Sequence, residues 1–280
     1  MQNKGLRFSN EEKRILLDII VKTSSEEIFE NIIESTSKEF ISPSSYVIDG
    51  GAHVGRHTEH FIMSVGDLGR VYAVEAISAL SGNLDKKFSS RKAYTGINKA
   101  LYHKTNKKLN FHHIINGSGY SGINLRELPE GFTPEIEILN VNSITMDDMV
   151  KNETRKCSFI KLDLEGGEYF ALKGAKNILN NDRPVVAFED GRFYATRSYD
   201  YECKDLYDYL SSLNYCLISL FAEQLDSFEK WIEWNPWYTF AIPKEKIQYS
   251  SIILEKFSYE FIKMINNNIL CEKLLYNKKE

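Results

Sequence analysis

Residues 46–55, YVIDGGAHVG, constrain the fold of this chain more than any other segment. They predict a buried β-strand that ends in Asp49 and a glycine-rich turn, where a ligand can come within contact distance of the backbone. The helix start behind the turn would offer N–H groups to a carboxylate or phosphate. A second apolar run, residues 71–74, ends in Glu75. An acid about 20 residues after such a turn is where nucleotide-binding βαβ units hold a ribose, so the two segments predict a pocket for an adenosine-bearing ligand.

The spacing of the glycines distinguishes between cofactors. Dinucleotide sites carry G-x-G-x-x-G, whereas this turn runs Asp49, Gly51, His53, Gly55. A carboxylate at the strand end would repel a pyrophosphate but suits an ammonium group. S-adenosylmethionine carries an ammonium, a carboxylate and a ribose but no phosphate, and the pattern therefore favours it over NAD. The alternative is an ordinary β–α turn that binds no ligand.

Length and composition predict one main domain with additions. At 280 residues and 42% hydrophobic content, the chain can bury a full core without disulfides or metals. No apolar run approaches about 18 residues and the first residues are polar, so we expect neither a membrane span nor a signal peptide. The four cysteines form no C-x-x-C pair, which predicts reduced thiols and a cytoplasmic protein. A formal net charge of −4 gives no electrostatic reason for a nucleic-acid partner.

The hydrophobic pattern alternates between strands and helices. Two amphipathic helices are predicted first, at 10–22 and 25–36, with Ser9 and Ser24 as N-caps. Strands are then predicted at 45–50, 70–75, 92–97, 158–163, 185–189, 215–220 and 237–242, and helices at 55–65, 78–88, 167–180 and 202–213. Residues 99–142 interrupt this order with an antiparallel pattern. This alternation predicts an α/β fold with a mostly parallel sheet that helices cover on both faces. An N-terminal helical extension (1–43) precedes this domain, and a C-terminal helical segment (246–280) follows it.

Three blocks of sequence carry a specific resemblance. DGGAHVG at 49–55 with Thr58, VE at 74–75 and FIKLDLEGGE at 159–168 resemble the FkbM family of S-adenosylmethionine-dependent methyltransferases. ALKGA at 171–175, RPVVAFE at 183–189, SGYS at 118–121 and SITMDD at 143–148 resemble it as well, so the likeness covers roughly residues 45–243. It implies a Rossmann-like class I methyltransferase fold with a seven-stranded sheet, in a domain spanning 44–245. His53 stands where that family most often has asparagine.

The ends of the predicted strands place the cofactor. Asp49, Glu75, Asp163 and Glu189 all end strands, and parallel strands bring their carboxyl ends to one edge of the sheet. Glu75 is expected to accept the ribose hydroxyls. The other cofactor-binding assignments are Asp49 with the turn Gly51, Ala52, His53 and Gly55 for the amino-acid end, Thr58 for the carboxylate, Asn98 for the adenine, and Asp163.

Asp163, Glu165 and Glu189 are the candidate catalytic residues. One of these carboxylates could be the general base that takes the proton of an acceptor hydroxyl. Asp163 and Glu189 could instead hold a divalent ion such as magnesium, or the acids could only attract the positive charges of the cofactor. Capping of the next helix is the structural alternative, and we expect only that of Glu168.

Three other polar side chains lie in segments that the pattern predicts to be regular structure. Lys161 lies inside a buried strand and is expected to pair with a carboxylate of the site rather than extend to the surface. His57 and His60 are three residues apart on the first helix after the turn, where a solvated or capping role is favoured over a shared metal.

The acceptor is predicted from the resemblance and from one aromatic, cationic segment. Ser118 and Tyr120 lie in the SGYS turn, and Arg192, Tyr194 and Arg197 lie in residues 191–199, a mixture that suits sugar rings and anionic groups. We expect an O-methyltransferase acting on a sugar, a surface glycan or a small-molecule hydroxyl, with nitrogen methylation as the nearest alternative. A nicotinamide-dependent oxidoreductase and a non-catalytic partner of a glycan-assembly enzyme remain as alternatives of other classes. The terminal helices could form a homodimer interface or a lid.

Overall fold

The computed structural model describes residues 9–22, 27–189, 197–233 and 238–276. Two helices come first, α1 (Asn10–Lys22) and α2 (Glu27–Phe40). Ser9 caps α1 as predicted: its hydroxyl accepts the N–H of Glu12, and the Glu12 carboxylate accepts the N–H of Ser9 at 2.6 Å. Ser24, the second predicted cap, lies outside the described residues.

The rest of the chain alternates strands and helices, apart from one insertion. In chain order the other described elements are β1 (Tyr46–Gly50), α3 (Arg56–Val65), β2 (Arg70–Val74), α4 (Ser78–Phe88), β3 (Tyr94–Ile97), β4 (Ala100–Leu101), β5 (Lys108–Ile114), β6 (Ile136–Ile144), α5 (Met146–Met149), β7 (Cys157–Leu162), α6 (Glu168–Lys173), α7 (Lys176–Asn181), β8 (Val185–Glu189), α8 (Cys203–Ser212), β9 (Tyr215–Ile218), α9 (Phe228–Glu233), β10 (Tyr238–Pro243) and α10 (Ser250–Tyr276).

Seven strands form the main sheet in the order β3-β2-β1-β7-β8-β10-β9. Neighbours from β3 to β8 are parallel, and β10 lies antiparallel between β8 and β9. This is the Rossmann-like class I methyltransferase fold expected from the sequence. The order reverses between β1 and β7, and ligands of open α/β sheets bind at such a switch point, outside the carboxyl ends of the strands.

Helices cover both faces of this sheet, because successive side chains of a buried strand point to opposite sides. Phe159 of β7 packs into the apolar cluster that includes α2, α3, α4 and α10. Its neighbour Ile160 packs into the cluster that includes α5 to α9. Among the helices of the described chain, none has both the length and the apolar character that crossing a membrane requires.

Helix α2 ends at Phe40 and not at residue 36, α5 and α9 were not predicted, and two further features differ from the sequence-based expectation. The helix predicted at 167–180 is two short helices, α6 and α7, separated at Gly174. A Cβ on Gly174 would lie 2.4 Å from the carbonyl oxygen of Tyr102, so this close contact with the chain before β5 explains why the residue is glycine. The predicted antiparallel region at 99–142 is a separate three-stranded sheet, in which β6 pairs antiparallel with β5 but parallel with β4.

Candidate active site

A cleft with about 700 Å³ of empty space, partly open to solvent, lies at the carboxyl edge of the sheet. Its walls are formed by residues at or after the ends of β1, β2, β3 and β7, and by the inserted sheet and its loop. The lining residues are Gly51, His53, Val74, Glu75, Ala76, Ile77, Lys99, Ala100, Leu101, Phe111, Ser118, Gly119, Ser121, Ile123, Asp163, Leu164 and Glu165. The predicted edge and its switch point are therefore where the cleft opens.

The glycine-rich turn after β1 forms the middle of the cleft floor. Gly51 has φ +75°, and a Cβ there would lie 1.9 Å from the carbonyl oxygen of Asp163. The N–H groups of Gly51 and Ala52 both donate to the carbonyl of Val74, and the N–H of His53 donates to Glu75. Because these three donors are used inside the protein, the turn is not the anion-binding site that unpaired N–H groups would make. It is compatible with a cationic ligand group beside Asp163.

Asp49 and Thr58 lie beneath the turn and not on the surface of the cleft. Both side chains are fully buried, and the Thr58 hydroxyl donates to Asp49 Oδ2 at 2.6 Å. Thr58 therefore fixes the orientation of Asp49, and the prediction that it binds the cofactor carboxylate is wrong for this arrangement. Asp49 Oδ1 has no hydrogen-bond partner among the described residues. Gly55 likewise packs inward, where a Cβ would lie 2.6 Å from the ring of Phe88.

Glu75 is held rigidly at the end of β2 and lines the cleft. Its two carboxylate oxygens accept the backbone N–H groups of His53 at 3.0 Å and of Ile77 at 2.8 Å. Each oxygen keeps a second lone pair, which suits a pair of hydroxyl donors such as a ribose diol. Burial raises the pKa of Glu75, partly against the effect of these two hydrogen bonds.

One end of the cleft is apolar. Ile77, Phe111 and Ile123 line it and pack together in the small core beneath the inserted sheet. This end suits a flat heteroaromatic ring. Asn98, expected to contact an adenine, instead donates to the carbonyls of Glu75 and Ala76 at 2.9 and 3.0 Å and so braces the turn that carries Ile77.

The other end of the cleft is acidic and contains a buried lysine. Lys161 is 3% exposed and its ammonium donates to Asp163 Oδ2 at 3.1 Å, which confirms the predicted pairing. Burial disfavours the charge of Asp163, but the ammonium of Lys161 outweighs it and lowers the pKa to about 2. Asp163 is therefore a fixed negative charge at the cleft surface and a poor proton acceptor.

Glu165 lies beside Asp163 in an unusual backbone conformation, with φ +54°. Its side chain is 8% exposed, and Arg126 Nε lies 2.6 Å from Oε2, although the two atoms are not aligned for a hydrogen bond. Burial raises the pKa of Glu165 to about 8, Asp163 adds to this effect and Arg126 opposes it. Such a group can gain and lose a proton near neutral pH, as a general base must.

Glu189 completes a trio of carboxylates. Oxygen atoms of Asp163, Glu165 and Glu189 lie within 4.8 Å of one another, a spacing at which they could share a metal ion. Burial and the charges of Asp163 and Glu165 raise the pKa of Glu189 well above its ordinary value, and a hydrogen bond with Asp163 adds to this rise. Lys161 and Arg126 already pair with Asp163 and Glu165, and the divalent ion stays a prediction.

The predicted acceptor residues are only partly brought together. Ser118 lines the cleft and its hydroxyl lies 2.8 Å from His53 Nε2, whereas Tyr120 packs against Phe132 and under the guanidinium of Arg126. Arg197 is 65% exposed at its side chain and pairs with Glu127 away from the cleft lining. Arg192 and Tyr194 lie outside the described residues.

His57 and His60 are buried and not solvated, because α2 covers this part of α3. They are 5% and 8% exposed, and His57 bonds to Glu30 of α2. The expectation of a solvated or capping pair is therefore wrong.

The raised pKa of Glu165 predicts a pH-dependent cost to stability. In the unfolded chain this carboxyl ionises near 4.5 and in the folded chain near 8, so stability is undiminished below pH 4.5 and falls as the pH rises towards 8. Glu165→Gln cannot ionise, so its stability relative to the wild type should be about 2–3 kcal/mol higher at pH 9 than at pH 5.

Urea unfolding of the two proteins at pH 5, 7 and 9 measures this difference. Glu130→Gln, an exposed glutamate in the neighbouring loop, serves as the control and should match the wild type at every pH. A stability difference that stays constant from pH 5 to pH 9 would contradict the assignment for Glu165.

Comparison with known proteins agrees with this geometry. The model of the methyltransferase FkbM domain matches residues 49–217, which include the turn after β1, Glu75 and all three carboxylates. The chain belongs to the FkbM methyltransferase family. No curated protein sequence matches it significantly.

Three solved structures illustrate what this FkbM-family chain resembles. A methyltransferase FkbM from Methylobacillus flagellatus is 16% identical with a TM-score of 0.41, over 71% of this chain but only 44% of that one. A putative rRNA methylase from Clostridium thermocellum is 12% identical with a TM-score of 0.43, over 84% and 96% of the two chains. Aeropyrum pernix fibrillarin, solved with bound S-adenosyl-L-methionine, is 13% identical with a TM-score of 0.41, over 75% and 73%.

Sequence reasoning missed the apolar end of the cleft and Arg126. Leu101, Phe111 and Ile123 lie in the insertion, whose antiparallel pattern was predicted without assigning its apolar side chains to the cleft. Arg126 is one of several charged residues in the loop of this insertion, and nothing in its immediate sequence distinguishes it from the others.

Proposed function

We propose that this chain is an S-adenosylmethionine-dependent O-methyltransferase acting on a hydroxyl of a sugar, a glycan or a related small molecule. The observation that carries the proposal is the position of Glu75. The strand order β3-β2-β1-β7 places its rigid carboxylate between the residues that follow β3, beside the apolar end of the cleft, and the acids that follow β7. That sequence of environments matches an adenine, a ribose diol and a cationic sulfur in one ligand.

The cleft residues have complementary roles in this proposal. Ile77, Phe111 and Ile123 would hold the adenine, and Glu75 the ribose hydroxyls. The fixed charge of Asp163 would favour a sulfonium over a neutral thioether. S-adenosylmethionine supplies a methyl group that is already activated, so positioning of the acceptor accounts for most of the remaining rate.

Glu165 is the base that we assign. A hydroxyl that accepts a methyl group must lose its proton, and the carboxylate that receives it should have a pKa near the working pH. Glu165 meets this condition with a pKa of about 8, whereas Asp163 at about 2 does not. The pKa of Glu189 is raised well above its ordinary value, and Glu189 does not line the cleft as Glu165 does.

The support for a hydroxyl on a sugar comes from the surroundings of Glu165. The loop with Tyr120 and Arg126 meets the segment with Tyr199, whose hydroxyl accepts the N–H of Asn124 at 3.3 Å. Aromatic rings and a guanidinium beside the base suit a polyhydroxylated or anionic acceptor. Methylation of a panel of sugars, with the product analysed for methyl ethers and methylamines, distinguishes oxygen from nitrogen as the acceptor atom.

Calorimetric titration with S-adenosylhomocysteine, beside NAD, tests the cofactor assignment. We expect micromolar binding of S-adenosylhomocysteine and none of NAD. Glu75→Ala should weaken that binding about 30- to 100-fold, because it removes charge-assisted hydrogen bonds to two hydroxyls.

Glu59→Ala is the matched control, since this surface glutamate pairs with Lys87 on the outer side of α3. It should bind as tightly as the wild type. Retention of NAD in place of S-adenosylhomocysteine would overturn the proposal in favour of an oxidoreductase. Binding without methyl transfer to any acceptor would favour a non-catalytic partner.

A further inference from the structure

Helix α2 lies outside the segment matched by the family but packs directly behind the acidic end of the cleft. Its buried face joins the core cluster that contains Phe159 of β7 and Tyr238 of β10. Phe29 of α2 faces the Tyr238 ring with centroids 6.5 Å apart. The N-terminal extension is therefore part of the same core as the site.

One polar side chain on this buried face, Glu30, connects three elements. Its carboxylate bonds to Nε2 of His57 on α3 and accepts the hydroxyl of Tyr238 on β10. Tyr238 lies directly opposite Glu189 in the antiparallel register of β8 and β10. Glu30 thus reaches, through Tyr238, the residue that is paired with Glu189 at the end of β8.

Glu30 also acts on Lys161 through its charge. Lys161 is buried, and burial alone would lower its pKa, yet the combined attraction of Asp163, Asp49 and Glu30 raises it. The reciprocal attraction, together with the bond to His57, outweighs the burial of Glu30 and lowers the pKa of its carboxyl. Three carboxylates, from α2, β1 and the end of β7, therefore attract one ammonium.

We propose that Glu30 is a positioning residue of the reaction centre, which balances the Lys161 ammonium and so preserves the negative charge of Asp163 towards the cleft. Without Glu30, one more positive charge beneath the cleft would be uncompensated. This inference rests on the proposed function, because it assumes that the acidic end holds a sulfonium. It extends the site to a helix that precedes the matched domain.

The charge difference between the cofactor and its product makes it possible to measure a change of charge in the site separately from a change of shape. S-adenosylmethionine carries a sulfonium, whereas S-adenosylhomocysteine has a neutral sulfur and is otherwise closely similar. A substitution that only loosens the cleft weakens both ligands by the same factor. A substitution that makes the site more positive weakens S-adenosylmethionine more, so the ratio of the two dissociation constants reports charge.

The experiment is calorimetric titration of both ligands into the full chain and its variants. Glu30→Gln keeps the shape of the side chain and removes its charge. It should weaken S-adenosylmethionine roughly 3- to 10-fold more than it weakens S-adenosylhomocysteine. Glu30→Asp keeps the charge and should restore most of the wild-type ratio. Glu39→Gln is the control on the same helix, since Glu39 pairs with Lys256 of α10 and not with the site.

An unchanged ratio in Glu30→Gln, with both affinities lowered equally or not at all, would overturn the inference. Should that variant not fold, the double variant Glu30→Met with Tyr238→Phe decides, because it removes the same charge and leaves no Tyr238 hydroxyl without its partner. A shift of the ratio against S-adenosylmethionine supports the inference, and an unchanged ratio overturns it. Failure of the proposed function is distinguishable, since then the wild type itself binds neither ligand.

Discussion

Lys161→Met is expected to lower the free energy of unfolding at pH 7 by about 3–5 kcal/mol. Breaking a buried ion pair from one side is costly because the remaining charge loses its partner inside the protein. Lys161 donates to Asp163 at 3.1 Å and also attracts Asp49 and Glu30, so three carboxylates lose their common counter-charge. Asp49 is affected strongly, since it is fully buried and its Oδ1 has no hydrogen-bond partner among the described residues.

The loss should depend on pH in a defined direction. The Asp163 carboxyl has a pKa of about 2 in the folded chain against 3.8 as its ordinary value. A lowered folded pKa contributes stability that is fully present above pH 3.8 and is lost as the pH falls towards 2. The difference between wild type and Lys161→Met should therefore be constant from pH 7 to about pH 5 and shrink towards pH 3.

Urea unfolding at pH 7, 5 and 3 measures this effect. Lys156→Met, an exposed lysine just before the same strand, is the control and should lie within about 0.5 kcal/mol of the wild type. The double variant Lys161→Met with Asp163→Asn should recover part of the loss, because one uncompensated charge is removed. A wild-type stability for Lys161→Met at pH 7 would show that the ammonium does not hold these carboxylates together.

The fold was accessible from the sequence because strands buried on both faces are short apolar runs with sharp ends. β1, β2, β7 and β8 each end within one residue of an acid, and parallel strands must bring those ends to one edge. Asp163, Glu165 and Glu75 could therefore be placed at the cleft without knowledge of any contact. The lysine in β7 could be paired for a similar reason, since a buried ammonium requires a carboxylate.

Side-chain directions were not accessible in the same way. Thr58 and Asn98 are close in sequence to residues that line the cleft. The Thr58 side chain turns inward to Asp49, and the Asn98 side chain donates to two backbone carbonyls. Glu30 and Arg126 act on the site from segments distant in sequence, and only tertiary packing places them there. His57 and His60 are buried because α2 covers α3, a contact that the period of neither helix specifies.

Gly51→Ala is expected to cost about 2–4 kcal/mol of unfolding free energy and to weaken S-adenosylhomocysteine binding at least about tenfold. Two causes combine at this position. The φ of +75° disfavours any residue with a Cβ, and that Cβ would lie 1.9 Å from the carbonyl oxygen of Asp163. The overlap involves backbone on both sides, so β1 and the chain after β7 must separate, and with them the middle and the acidic end of the cleft.

Gly131→Ala separates the two causes, because Gly131 has φ +80° but no atom within 4 Å of its Cβ position. It should show only the conformational cost, about 1–2 kcal/mol, and wild-type ligand binding. Thermal unfolding and calorimetric titration of both variants give the comparison. If Gly51→Ala behaved like Gly131→Ala in both measurements, the close contact between the turn and Asp163 would not shape the cleft. If only Gly51→Ala loses the ligand, the glycine is required because the two strand ends that form the site must touch.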